Sequence, residues 1–139
     1  MLRLKKAPLV TLLAVGASLG IAHAGTPAEA IVTPLMTQRL GDYPGKEALM
    51  ISVEYPPGAE DPVHRHHAHG FIYVLEGSIV MQVKGGKEVT LTPGQTFYEG
   101  PTDVHTVGRN ASQTLPAKFV VLLLKNQGAP VLVPEKQGH

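Results

Sequence analysis

Leu49, Ile51, Val53 and Tyr55 share one parity, with Ser52 and Glu54 between them. This period of two is that of a strand with one buried face. Pro56-Pro57-Gly58 ends the run. Further short β-like runs follow at 71–75, 78–83, 89–92, 96–99, 104–107 and 119–124, separated by Gly77, Gly85-Gly86, Pro93-Gly94 and Gly100-Pro101. Lys84-Gly85-Gly86-Lys87 predicts a two-residue hairpin, because glycine supplies the positive φ such turns need. No stretch keeps a helical period for the length of an ordinary helix. Evenly spaced short strands with Gly and Pro turns predict an all-β fold, an antiparallel jelly-roll barrel.

The N-terminus has a different pattern. Arg3, Lys5 and Lys6 precede an apolar run over residues 9–21, and Ala22-His23-Ala24 fits a small-x-small cleavage site. Residues 1–24 therefore read as a signal peptide cleaved after Ala24, which implies a periplasmic or secreted protein with no stable membrane anchor after cleavage. The apolar run falls short of the roughly 20 residues that span a bilayer. Residues 25–45 have linker and turn composition and are read as an N-terminal arm. The barrel is expected over 46–134, with a C-terminal tail at 135–139.

Residues 25–139 are the size of one ordinary domain. Removing the basic leader turns the formal charge of +1 slightly negative. No basic face with interleaved aromatics remains, so nucleic acid is not an expected partner. The chain has no cysteine, which excludes thiolate chemistry and cysteine-ligated zinc.

The chemistry-bearing residues are histidines. Of seven in the chain, His64, His66, His67 and His69 crowd together. On a strand, His64 and His66 share a face and both can point into a barrel. Imidazole nitrogens placed that way can chelate a metal, although a histidine-rich loop can also be merely solvated. His105, in a later predicted strand, is the candidate third ligand.

These residues belong to a pattern that resembles the cupin family over residues 49–124. Gly58, five residues, His64-Arg65-His66 and the closing Gly77 resemble the first cupin motif. Pro93-Gly94, His105 and Asn110 resemble the second with small spacing differences. The resemblance implies a cupin-type jelly-roll barrel holding a divalent metal (Fe, Ni, Cu, Mn or Zn) on His64, His66 and His105. One departure stands out. The family's ligand glutamate falls on Gly70, or on Phe71 with the longer spacer, and Glu76 sits beside the closing glycine. Three readings stay open: a three-histidine centre with Gly70 leaving room for substrate, His69 turned inward as a fourth ligand, or a degraded site. A centre without the carboxylate keeps its full positive charge and would favour an anionic chelating substrate.

Other residues have lesser expectations. Ile72 and Val74 share parity with Gly70 and are expected inside the barrel, and either Met81 or Gln82 faces the cavity. Asp103 is a candidate to orient the His105 ring. No Gly-x-Ser-x-Gly elbow is present. The expected function is that of an exported metal-binding cupin, a dioxygenase-like oxidoreductase acting on a small organic molecule. The alternative is a non-catalytic small-ligand or metal-binding cupin. A homodimer is expected through the apolar runs at 119–124 and 131–133.

Overall fold

In a computed structural model of the chain, residues 25–136 are described. The expected leader, residues 1–24, lies outside them. Among the described residues ten strands occur in the order β1 (Ile31–Arg39), β2 (Lys46–Tyr55), β3 (His64–Arg65), β4 (Ala68–Glu76), β5 (Ile79–Val83), β6 (Val89–Leu91), β7 (Thr96–Glu99), β8 (His105–Asn110), β9 (Ala117–Asn126) and β10 (Val133–Pro134). They form two five-stranded antiparallel sheets with orders β1-β2-β9-β4-β7 and β10-β3-β8-β5-β6. The all-β jelly-roll expectation holds. Among the described residues no helix is long and apolar enough to cross a membrane.

The core lies between the sheets and follows the parity of the strands. Ile51, Val53 and Tyr55 of β2, Ile72 and Val74 of β4, and Phe119, Val121 and Leu123 of β9 line the inner face of one sheet, and Ile79 and Met81 of β5 meet them from the other. Tyr55 is completely buried, its ring edge-on to Phe119 at 5.0 Å between centroids. The hairpin after β5 turns at Gly85, whose φ of 85° fits the sequence expectation.

The segment 25–45, read as an arm leading to the domain, contains β1. It pairs with β2 from Ile31↔Glu54 to Arg39↔Glu47, with a bulge at Leu35 between Pro34 and Met36. Every β1 residue is exposed, so no alternation marks it in the sequence, and Pro34 reads as a breaker. Proline is tolerated there because edge strands and bulges do not need its missing N–H.

Asn110 stitches the barrel end. Its Nδ2 donates to the carbonyls of Tyr55, Pro56 and Leu115 at 2.8–3.1 Å, and its Oδ1 accepts from the Ser112 N–H at 2.8 Å. It is fully buried. Asn110→Ala strands several buried polar groups, each costing about 1–3 kcal/mol. The expected outcome is a loss of about 3 kcal/mol in urea denaturation, and a loss under about 1 kcal/mol would refute the stitching role.

Candidate metal centre

His64 lies on β3 and His105 on β8, directly opposite each other in the ladder. His66 follows the end of β3, and the chain then turns at His67, whose φ of 47° is left-handed. That turn sends β4 back in the other sheet. On it Gly70, Ile72 and Val74 point inward, while His69 points outward, exposed, with its Nδ1 2.8 Å from the Tyr98 hydroxyl. His69 is therefore not brought to the cluster. Its parity on β4 fixes that outcome.

The fourth member is a carboxylate that the sequence reading did not include. Glu99, at the end of β7, is directly opposite Gly70 in the β4–β7 ladder. Its Oε2 is 3.4 Å from His66 Nε2 and its Oε1 is 3.4 Å from His105 Nδ1. One ligand atom from each of His64, His66, Glu99 and His105 lies within 4.8 Å of the others. The expectation that no carboxylate serves the site is thus corrected: position 70 has none, and the neighbouring strand brings one to the same place. A signal was present, since Phe97 and Glu99 share parity on β7, and a Phe97 turned toward the core carries Glu99 inward with it.

The ring orientations are decisive. His64 Nδ1 lies 2.7 Å from the Pro62 carbonyl and His66 Nδ1 lies 2.6 Å from the Val131 carbonyl. A carbonyl can only accept, so each Nδ1 carries the proton and each Nε2 presents a lone pair. Those two Nε2 atoms face each other at 3.0 Å, and His105 Nδ1 is 3.3 Å from His64 Nε2. Two lone pairs at that separation repel unless a proton or a metal cation lies between them. His105 presents its Nδ1 to the cluster, 3.4 Å from Glu99 Oε1. The donor set fits a divalent transition metal, for which imidazole and carboxylate are suitable ligands.

Burial sets the charge state. It holds the His105 imidazole down to about 3, helped by repulsion from His64 and His66, and it also depresses His66. Burial pushes Glu99 up to about 7, with Asp103 and Asp61 adding repulsion. Neutral imidazoles are ready ligands, and the carboxyl gives up its proton readily near neutral pH.

The surrounding residues sort into wall and frame. The cavity beside the cluster is about 60 Å³ and is walled by Ile51, Val53, Ile72, Met81, Phe119 and Val121, with Ala30, Val32, Val131 and Leu132 also lining it. Met81 faces it, whereas Gln82 Nε2 donates to the Gly86 carbonyl. Tyr55 donates its hydroxyl to Asp61, and both line the same cavity. Burial raises both groups. A side chain at Gly108 would put its Cβ 2.9 Å from His105 Cε1, 3.1 Å from the Tyr55 hydroxyl and 3.2 Å from Asp61 Oδ2, so only glycine fits there. Asp103, expected to orient His105, instead accepts the Gly100 N–H at 2.6 Å and shapes the turn between β7 and β8. Arg65 pairs with Glu135 at 2.8 Å, and Arg109 pairs with Glu88 at 3.1 Å.

The molecule is a two-sheet antiparallel β-barrel with a largely buried three-histidine, one-carboxylate cluster that could hold a metal ion. A family model described as "Cupin domain" matches residues 51–123. The chain belongs to the cupin family. It is 25% identical over 87 residues to the cupin-domain-containing oxidoreductase fogC of Aspergillus ruber, covering 63% of this chain and 43% of that protein. The match thus spans less than half of that relative's length. Among solved structures it is similar to an uncharacterized conserved protein with a double-stranded β-helix domain from Klebsiella pneumoniae, with TM-score 0.61 and 18% identity over 81% of this chain and 90% of the other. It is also similar to the polyketide cyclase RemF from Streptomyces resistomycificus, with TM-score 0.59 and 19% identity over 81% and 75%. At these identities the two structures speak for the fold.

The raised Glu99 carboxyl makes a stability prediction for metal-free protein. A carboxyl raised on folding contributes stability below its unfolded value, near 4.5, and loses it as pH rises through about 7. Glu99→Gln removes that loss. With a chelator present, Glu99→Gln should be more stable than the wild type at pH 8, the gap closing toward pH 4.5. Urea midpoints at both pH values check this, and equal midpoints at pH 8 would contradict it.

Proposed function

We propose that this protein is an exported, metal-dependent cupin oxidoreductase that acts on a small organic substrate in a dioxygenase-like reaction. Its metal would be held by His64, His66, His105 and Glu99. The observation carrying this reading is the pair of Nε2 lone pairs 3.0 Å apart, each fixed by a backbone carbonyl behind it. The oxidoreductase description of the Aspergillus relative supports the reaction class. The leader-like residues 1–24 support export.

Bound there, a redox-active divalent ion would supply the electron exchange. The chain's own residues do the rest. The Pro62 and Val131 carbonyls hold two imidazoles in register and raise their basicity. Glu99 removes one unit of positive charge, so the expected preference for a strongly anionic chelator no longer follows. Ile51, Val53, Ile72, Met81, Phe119 and Val121 give the cluster an apolar surround. Tyr55 holds Asp61 at the cavity edge by its hydroxyl proton.

A homodimer is supported by the outer face of the first sheet. Met36, Met50, Leu122, Phe71 and Tyr98 form one cross-strand row through all five strands. The next row holds Thr33, Ser52, Val120, Tyr73 and Thr96, so neither carries a charge. Phe71, Tyr73 and Tyr98 are each about half exposed, and an exposed apolar patch of this kind marks an association surface. A second copy would match it row for row. Sedimentation velocity should give a dimer, and Phe71→Glu/Tyr98→Glu should give a folded monomer. A monomeric wild type would remove the dimer from the proposal.

For the metal, protein purified without added metal or chelator should contain close to one ion per chain, and His64→Ala/His66→Ala should contain none. Glu99→Gly should lose most of it, and Gly70→Glu/Glu99→Gly should regain it, because Gly70 lies opposite the vacated position. Loaded protein should consume oxygen with a small organic substrate. An empty site after reconstitution would overturn the metal reading. Stoichiometric metal without oxygen uptake across a substrate panel would leave a non-catalytic binding cupin. The mass of the exported chain tests cleavage after Ala24.

A further inference from the structure

We infer that the ligand of this site is a small monoanion with one chelating head and a short aliphatic body, and that the cavity wall rejects a second charge or a polar tail. The inference deepens the proposed metal reading and rests on it.

Three features of the cavity carry the argument. The first is size: at about 60 Å³ the cavity is equivalent to about two waters at their share of liquid volume, so it admits only a small ligand. That is well below the range of pockets that enclose drug-sized ligands. The second is the distribution of polarity. The polar groups lining the cavity are the four members of the cluster, Asp61 and Tyr55. Tyr55's hydroxyl proton is already given to Asp61. The remaining lining, from Ile51, Val53, Ile72, Met81, Phe119 and Val121 to Ala30, Val32, Val131 and Leu132, has no side-chain donor. A hydroxylated tail entering that space would lose its hydrogen bonds to water without replacement.

The third feature is charge. No lysine or arginine lines the cavity, while two carboxyl groups, Glu99 and Asp61, do. A divalent ion with Glu99 as ligand retains one net positive charge. That is enough for the head of a monoanion. A second anionic group, placed against the aliphatic wall, would meet neither a cation nor a donor and would lie in a site that already holds Asp61. Burial of an unpaired charge is the most costly of these mismatches.

Cobalt(II)-loaded protein tests this through its visible spectrum, a reading of binding independent of turnover. The probes are 2-hydroxybutyrate, glycerate and malate. They share the α-hydroxycarboxylate head and differ in ending with a methyl, a hydroxyl or a carboxylate. Tightest binding is expected for 2-hydroxybutyrate, with malate weaker by about tenfold or more. Val32→Lys places a cation at the lining from an exposed β1 position, where folding should not suffer. It should narrow or invert the preference while cobalt content stays stoichiometric. Malate or glycerate binding as tightly as 2-hydroxybutyrate to fully loaded wild type would overturn the inference and leave the metal reading standing. So would an unchanged preference in Val32→Lys. Failure of the wild type to take up cobalt would overturn the metal reading itself, and this inference with it.

Discussion

Everything at the centre of this barrel depends on the facing lone pairs of His64 and His66. Neutral imidazoles in an apolar interior would ordinarily turn to share protons. Here each ring is held from behind by a carbonyl, Pro62 for one and Val131 for the other. The two carbonyls come from segments far apart in the chain, so the geometry needs the whole fold. The Val131 side is secured by the stretch after β9. Lys125, buried in β9, donates to Glu47 at 2.6 Å and to the Ala129 carbonyl at 2.7 Å. β10 then pairs with β3, Arg65 grips Glu135, and the Glu135 N–H reaches the Val63 carbonyl. The C-terminal segment is thus part of the site's scaffold. A tail was expected from residue 135 onward, yet Glu135 has two of these contacts.

The same dependence runs through the sheets. The ladder places His64 beside His105 in one sheet and Gly70 beside Glu99 in the other, so the cluster spans the sandwich. Tyr55 and Phe119 fill the space between the sheets on the β2 and β9 side. Gly108 allows His105, Tyr55 and Asp61 to approach one piece of backbone together. A metal bound by all four donors would tie the two sheets to each other in a chain with no disulfides.

Much of this was legible in the residues, and what was not has physical causes. Alternation exposed β2 because it buries one face, and Gly and Pro turns set off β4, β5 and β9 as short apolar runs. The paired histidines were legible because a period of two places them together. β1 was read as an arm because it buries neither face and carries Pro34. β10 is two residues long and has no pattern to detect. Asp103 was assigned to the ring of His105 by proximity in sequence, but the turn at Gly100 consumes its carboxylate.

Glu99 shows a more general limit. A motif is a statement about one strand, whereas a ligand is a position in space that two neighbouring strands can reach. Gly70 and Glu99 are directly paired, and a Cβ placed on Gly70 would lie 3.7 Å from the Glu99 Cβ. That is ordinary contact distance. The ladder pairing alone brings the Glu99 side chain, buried on β7, to the end of the barrel where a glutamate at 70 is expected. The apparent loss of a ligand along the sequence therefore does not imply a lost site: the carboxylate count at the cluster is unchanged, and so is the charge it places beside the three imidazoles.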